Sequence, residues 1–371
     1  MTRKISNKAL LLAILFAALI LCFLLKMAFD RSREKKPTFA GDSSKLGRTV
    51  ILPTMDTPIV PGKNNIWCSS FQLAWNEMKD VVIKEPIKVI DAEELSRRLN
   101  NANQKKSDLL EDSYYIAAGR TSDGIREKIR SDMARRFPSV ELPPFNPADV
   151  LIAFAYLEAY VKFKEPYRQY HRPMLFTDSA GKRTDVKSFG VWHGHQKKYR
   201  PTCEQIDVLY CKTDENYMVT EFALDLCRHT EPYQIIVALT EPNESLEHTI
   251  LDLQAKIDNS QTKQFDYGDK LLVPEMYWDI THHFTELLDK PLSNERYQDL
   301  AVSEALQMIK FRLDRTGALL ESKAVLAAYV GTYRIFHLNK PFLIYLRKRD
   351  AEQPFFVMWV DNAELLTPFA E

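Results

Sequence analysis

Glycine is scarce, with 11 residues in a chain of 371. Collagen-like repeats and glycine-rich linkers need far more of it, so both are excluded. Neither sign of charge is in surplus, because 50 Lys and Arg stand against 50 Asp and Glu. A nucleic-acid binder needs a basic excess to neutralise phosphates, and no nucleic-acid partner is expected. No self-similarity recurs at the periods of solenoids or propellers. Cysteine is sparse too: Cys22, Cys68, Cys203, Cys211 and Cys227 form no CxxC pair and no zinc spacing. Cys211 and Cys227 are placed to face each other across a hairpin, but buried free thiols are the plainer reading.

Catalytic signatures are also missing. The chain has no G-x-S-x-G, P-loop, GxGxxG or HExxH. His193 and His195 flank a glycine on a turn with no further ligand pair nearby. His282 and His283 are adjacent residues, which face different directions. Glu93 and Glu94 read as ordinary helix-surface charges. Nothing in this set supports an enzyme, a metal site or a cofactor.

With 45% hydrophobic and 27% charged residues, the average is that of a globular protein. One segment departs from it. Ala9 to Leu25 carries no charge, and Met27 to Phe29 extend it past a snorkelling Lys26. That is the lower end of what spans hydrocarbon. Arg3, Lys4 and Lys8 precede the run, and Lys26, Arg31, Arg33, Lys35 and Lys36 follow. A cleaved signal peptide shares the basic start but needs small residues at its cleavage point, and Leu24-Leu25-Lys26-Met27 offers none. Ile20-Leu21 before Cys22 are likewise too large for a lipoprotein site. The residues therefore favour a tail over 1–8, a single-pass anchor over 9–29, a polar stalk over 30–59 and a folded domain over 60–371. Basic residues on both flanks leave the orientation open. The short tail and large body favour a domain outside the cytoplasm.

Within the body, helical periodicity comes first. Ser69 to Val82 places Phe71, Ala74, Trp75 and Met78 on one face, Asp91 is the expected N-cap of a second helix, and Ser122 to Arg136 forms a third. Pro143, Pro144 and Pro147 break the pattern. Strands follow: Val150 to Tyr156 is apolar enough for a central strand, and Asp207–Cys211, Tyr217–Leu226 and Tyr233–Leu239 read as an antiparallel meander. A helix over Ser245 to Ile257 and strands at Lys270–Pro274, Met308–Leu313, Pro341–Leu346 and Pro354–Val360 complete the series. Helices followed by many strands predict an α+β domain with a mixed, mainly antiparallel, multi-sheet core.

Two stretches carry more specific information. The strand Met308–Leu313 runs into Asp314-Arg315-Thr316-Gly317, then into an unpatterned stretch, then into Asn339-Lys340-Pro341-Phe342-Leu343-Ile344-Tyr345-Leu346. Upstream lie Asn65-Ile66-Trp67-Cys68-Ser69-Ser70, the string Ala155 to Tyr167 with Phe176 after it, and Val273-Pro274-Glu275. In this order they resemble the serpin family, over roughly residues 60 to 366. There a sheet strand ends in an acidic-x-x-Gly hinge, an exposed reactive loop follows, and an x-x-Pro-Phe strand returns to the body. Several positions depart from the pattern: Ser70, Ala155, Lys162, Phe163 and Met358 stand where the family has Pro, Asn, Gly, Trp and Gly. Glu275 and Arg315 stand where the family pairs Lys with Glu, so the resemblance implies a charge-reversed Glu275–Arg315 contact.

The resemblance implies a serine-type endopeptidase inhibitor: the loop is bait, and after cleavage its first half inserts into the central sheet. Loop residues would then be 318–338. The hinge would be Gly317, Ala318, Leu319, Leu320, Glu321 and Ser322, and the scissile bond would fall within Ala328, Tyr329, Val330, Gly331 and Thr332. Small side chains there imply an elastase-like target protease rather than a trypsin-like one. One register buries Leu320, Ser322 and Ala324; the other buries Glu321 and Lys323, at several kcal/mol for an unpaired charge. Bulky hinge leucines, and the absence of the helix that crosses the main sheet in the family, point the other way. They leave a non-inhibitory extracytoplasmic binding module of α+β fold as the alternative.

Overall fold

A computed structural model describes residues 36–145, 151–160, 162–192, 196–298, 300–315 and 333–369. Three sheets carry the fold. The main sheet has the order Phe39–Asp42, Met276–His283, Ala301–Leu313, Leu151–Tyr160, Tyr114–Arg120, with Lys290–Pro291 also pairing to Ala301–Leu313. Its two inner strands, Ala301–Leu313 and Leu151–Tyr160, run parallel and pair directly from Val302 with Leu151 to Arg312 with Tyr160. Such a pair needs apolar residues on both faces, and Leu151 to Leu157 are all buried.

The second sheet has eight strands, in the order Lys263–Gln264, Asp207–Thr213, Val219–Asp225, Tyr233–Leu239, Phe342–Lys348, Phe356–Val360, Asn64–Cys68, Thr49–Ile51. It contains the predicted meander and the predicted C-terminal strand pair, both antiparallel. The third sheet joins Ile335–His337, Lys270–Pro274, Arg183–Val191 and Arg168–Thr177. Its inner strands approach closely at Gly190, where a Cβ would lie 1.9 Å from the Leu271 carbonyl oxygen.

The core lies between the main and second sheets. Phe311 stacks on Phe356 with centroids 4.7 Å apart and planes 10° from parallel, and Trp278 joins Phe311 at 5.2 Å. The helix Ser69–Glu77 fills one end of this space and continues as a π-helical turn over Met78–Ile83. Its Phe71 lies 3.9 Å from Phe284.

Several expectations need correction. The segment expected as a stalk is folded from Thr38 onward. Phe39–Asp42 adds a parallel strand to the main-sheet edge, and Thr49–Ile51 enters the second sheet beside Asn64–Cys68. A short polar stretch suffices for this because an edge strand is held mainly by backbone bonds. Asp91 does not cap a helix: it has φ 58°, and the helix Glu93–Asn101 starts after Ala92. The strand predicted from Met308 begins at Ala301. The loop expected to end at residue 338 ends earlier, since Ile335–His337 is a strand parallel to Lys270–Leu272. A helix does cover the main sheet's outer face, namely Ile125–Arg136. With Phe137 and Phe145 after it, its Ile129 and Met133 form one cluster with Tyr115, Phe154, Tyr156, Leu306 and Met308. Cys68, Cys203, Cys211 and Cys227 are all free thiols. Among the described residues no helix is long and apolar enough to cross a membrane; the anchor predicted over 9–29 lies outside them.

Candidate functional site

The strands flanking the predicted loop fix its two ends. Ala301–Leu313 leads to Asp314, which is 4% exposed and accepts from Arg312 Nε at 3.0 Å and Nη2 at 2.8 Å. The Arg312 guanidinium also lies over Tyr277 and Tyr160, at 5.5 and 5.8 Å from the ring centres. Arg315 is exposed, and its carbonyl accepts from the Tyr167 N–H at 3.1 Å.

The other end is clamped to the third sheet. Asp269 is 2% exposed. It accepts from the Arg334 N–H at 3.0 Å and from Arg334 Nη2 at 2.5 Å, while the Arg334 carbonyl accepts from the Lys270 N–H at 3.0 Å. Gly268 leaves room for the neighbouring Tyr333: a Cβ there would lie 2.2 Å from the Tyr333 ring. The chain thus leaves the main sheet after Leu313 and enters a different sheet at Ile335.

The seam between the two parallel strands is the remaining part of the site. Alternation places Asp279, Lys310 and Glu158 in one row across the outer face, and Lys310 Nζ lies 3.2 Å from Glu158 Oε1. The next row is Tyr277, Arg312 and Tyr160. Burial pushes the Asp279 carboxyl above the usual carboxylate range, with Glu158 adding to the effect. Burial alone would lower the Lys310 ammonium, but Glu158 and the groups around it hold it above its ordinary value. On the inner face Gln307 is fully buried, and its Nε2 donates to the Cys68 carbonyl at 3.2 Å and to Ser70 Oγ at 3.0 Å. This bond ties the seam to the start of the helix Ser69–Glu77.

The fold as a whole matches solved structures, whereas the sequence does not match known families. Mouse protein Z-dependent protease inhibitor superposes with a TM-score of 0.53 at 14% identity, covering 81% of this chain and 91% of its own. The fold is the serpin fold. Tengpin, a thermophilic serpin in its native state, gives a TM-score of 0.52 at 15% identity, over 82% of this chain and 90% of its own. Thyroxine-binding globulin in complex with thyroxine gives 0.51 at 11% identity, over 82% and 94%. No protein-family model matches the sequence, and no curated protein matches it. What is shared at these identities is the fold.

Within the serpin fold, the hinge residues Gly317 to Ser322 and the scissile region Ala328 to Thr332 lie outside the described residues, as do His193 and His195. Glu275 and Arg315 are brought to the same end of the main sheet, since Met276 pairs with Leu313. Glu275 is 2% exposed, and its N–H donates to the Lys187 carbonyl at 2.8 Å. The two histidines that sequence reasoning passed over have a structural role. His282 Nδ1 lies 2.7 Å from Ser43 Oγ, and burial pulls its pKa down to about 4. His283 Nδ1 lies 2.7 Å from Glu304, and that bond raises its pKa. His282 thereby ties the N-terminal segment to the main sheet, while His283 links two neighbouring strands of that sheet, with Asp42 3.7 Å from its Nε2. The Asp269–Arg334 clamp was not foreseen, because 65 residues separate its partners and no local pattern marks them.

Proposed function

We propose that this protein is a protease-directed serpin-fold domain that presents the chain between Arg315 and Tyr333 as bait. It is held by a single-pass anchor over residues 9–29 with the domain outside the cytoplasm. One observation carries the reading: the two parallel strands of the main sheet pair directly, while the chain leaving one of them returns in another sheet. That is the arrangement in which a serpin loop has yet to insert, and opening the seam would admit a further strand. In the tolerable register Leu320, Ser322 and Ala324 would face the core. Glu321 and Lys323 would then share the outer face with Asp279, Lys310 and Glu158, a polar row that accepts charge. The Lys310–Glu158 pair does not bar opening, because its side chains are 25% and 39% exposed and such pairs contribute about 0–1 kcal/mol. Ala328 and Val330 support an elastase-like target.

A second reading, a binding module without trapping, is favoured by the outer-face cluster. It includes Phe154 and Tyr156 on one side of the seam and Leu306 and Met308 on the other. Inserting a strand separates these groups, and the leucines of the hinge add bulk. Incubation with elastase-, subtilisin- and chymotrypsin-like proteases distinguishes the two. A covalent complex that survives denaturing gels supports the inhibitor. Cleavage between Ala328 and Thr332 without a complex supports the binding module. Cleavage only elsewhere in the chain refutes the loop assignment.

A further inference from the structure

The N-terminal chain enters the main sheet at the end where the loop leaves it. Phe39–Asp42 runs parallel to Met276–His283, with Phe39 opposite Trp278, and the Thr38 N–H donates to the Tyr277 carbonyl at 2.6 Å. Met276–His283 in turn runs antiparallel to Ala301–Leu313, with Tyr277 opposite Arg312 and Met276 opposite Leu313. Entry and exit are therefore two strand spacings apart, or about 10 Å. The entry is also pinned from the C-terminal side. Thr38 Oγ1 lies 3.3 Å from Thr367 Oγ1, and the Thr367 N–H donates to the Glu275 carbonyl at 2.8 Å. We propose that the loop-bearing end of the domain is held close to the membrane, so that the bait is presented to proteases bound to that same membrane. This inference rests on the anchor and bait readings above.

The tether is short. With the body folded from Thr38, only Asp30 to Pro37 separate an anchor over 9–29 from the sheet. Eight such residues reach at most about 29 Å in any conformation. The end of Ala301–Leu313 then stays within about 40 Å of the bilayer. A polar stalk running to residue 59 would have allowed about 100 Å. The far end of the sheet is not constrained in this way. Glu286, exposed on the turn after His283, lies about 30 Å along the sheet from Arg315. A body hung by one end cannot enter the bilayer, so that turn stands farther out on average. A protease fixed to the same membrane meets the loop at a raised effective concentration, which a freely diffusing protease does not share.

The test measures energy transfer from a donor dye on the domain to acceptor dyes on lipid headgroups, with the full chain in nanodiscs. Arg315→Cys and Glu286→Cys, both at exposed residues, carry the donor in turn. Cys22→Ala and Cys211→Ser form the background, since Cys68, Cys203 and Cys227 are buried. Transfer from residue 315 should be at least about twice that from residue 286, given the separation along the sheet. Inserting about twenty glycine and serine residues after Lys36 should lower the transfer from residue 315 by at least about half. An elastase-like protease captured on the same discs should cleave between Ala328 and Thr332 at least about tenfold faster than free protease at equal concentration. Equal transfer from the two sites, transfer unchanged by the insertion, or no gain from capture would overturn the inference. A chain that stays out of the discs would overturn it together with the anchor. The expected transfer pattern without cleavage in that window would uphold the placement and refute the bait.

Discussion

Replacing Asp269 tests how the loop's return end is held. Its carboxylate accepts from the Arg334 backbone N–H at 3.0 Å, from Arg334 Nη2 at 2.5 Å, and from the Asp266 N–H at 2.9 Å. Removing one partner of a fully buried ion pair costs about 3–5 kcal/mol. The Arg334 side chain is 21% exposed, so water compensates part of the loss and about 2–3 kcal/mol is expected for Asp269→Ala. The domain runs from Thr38 to Glu371, and at about 2.1 cal/mol/K per residue 1 kcal/mol moves its Tm by about 1–2 °C, so melting should fall by about 2–6 °C. Arg334→Ala should cost less, because Asp269 keeps its two backbone donors. The double variant should fall short of the sum by at least about 1 kcal/mol. The variant should also be cleaved faster just before Tyr333 under limiting protease, since the loop's fixed end is released. Additive single and double variants, with unchanged cleavage, would refute the clamp.

Four further outcomes follow from the packing. Phe311→Ala removes a ring stacked on Phe356 in the core and should lower unfolding free energy by about 3–5 kcal/mol in denaturant titration. Gly190→Ala places a methyl on the Leu271 carbonyl and should destabilise the third sheet, read by faster hydrogen exchange of Lys270–Pro274. Burial pushes the Cys68 and Cys203 thiols to about 12, so thiol labelling followed by peptide mass analysis should leave both unmodified until the protein unfolds. The two histidines give opposite pH signatures. His283 has a raised pKa in the folded state, so its contribution is present below about pH 6.5 and lost as pH rises through the folded value. His282 has a lowered pKa, so it destabilises the fold as pH falls from about 6.5 towards 4. Melting curves of His283→Gln and His282→Gln across pH 4 to 8 should each remove one of these slopes.

Sequence patterns revealed the elements wherever one face or both faces were apolar. Val150 to Tyr156 announced a central strand, seen as Leu151–Tyr160, and Phe71, Ala74, Trp75 and Met78 announced a helix against the core, seen as Ser69–Glu77. The Asn339 to Leu346 string, with its Pro-Phe, led to the serpin resemblance, and Phe342–Lys348 is the strand it marked. Patterns failed where backbone pairing alone decides structure. Phe39–Asp42 has no alternation to betray an edge strand, so polar composition read as a stalk. Helix Ile125–Arg136 was visible, but its place over the main sheet was not, because Ile129 and Met133 say which face is buried and not against what. The seam row of Asp279, Lys310 and Glu158 joins three strands distant in sequence. Only the register of the sheet brings them together.

The central claim is that the main sheet stands closed and can accept the loop as a further strand. Its most direct test is to cleave the full chain between Ala328 and Thr332 with an elastase-like protease and compare melting before and after. Direct pairing of Leu151–Tyr160 with Ala301–Leu313 predicts that cleavage frees the loop to insert, giving a large rise in Tm. Cleavage there that leaves Tm unchanged or lower would contradict insertion and leave a static scaffold.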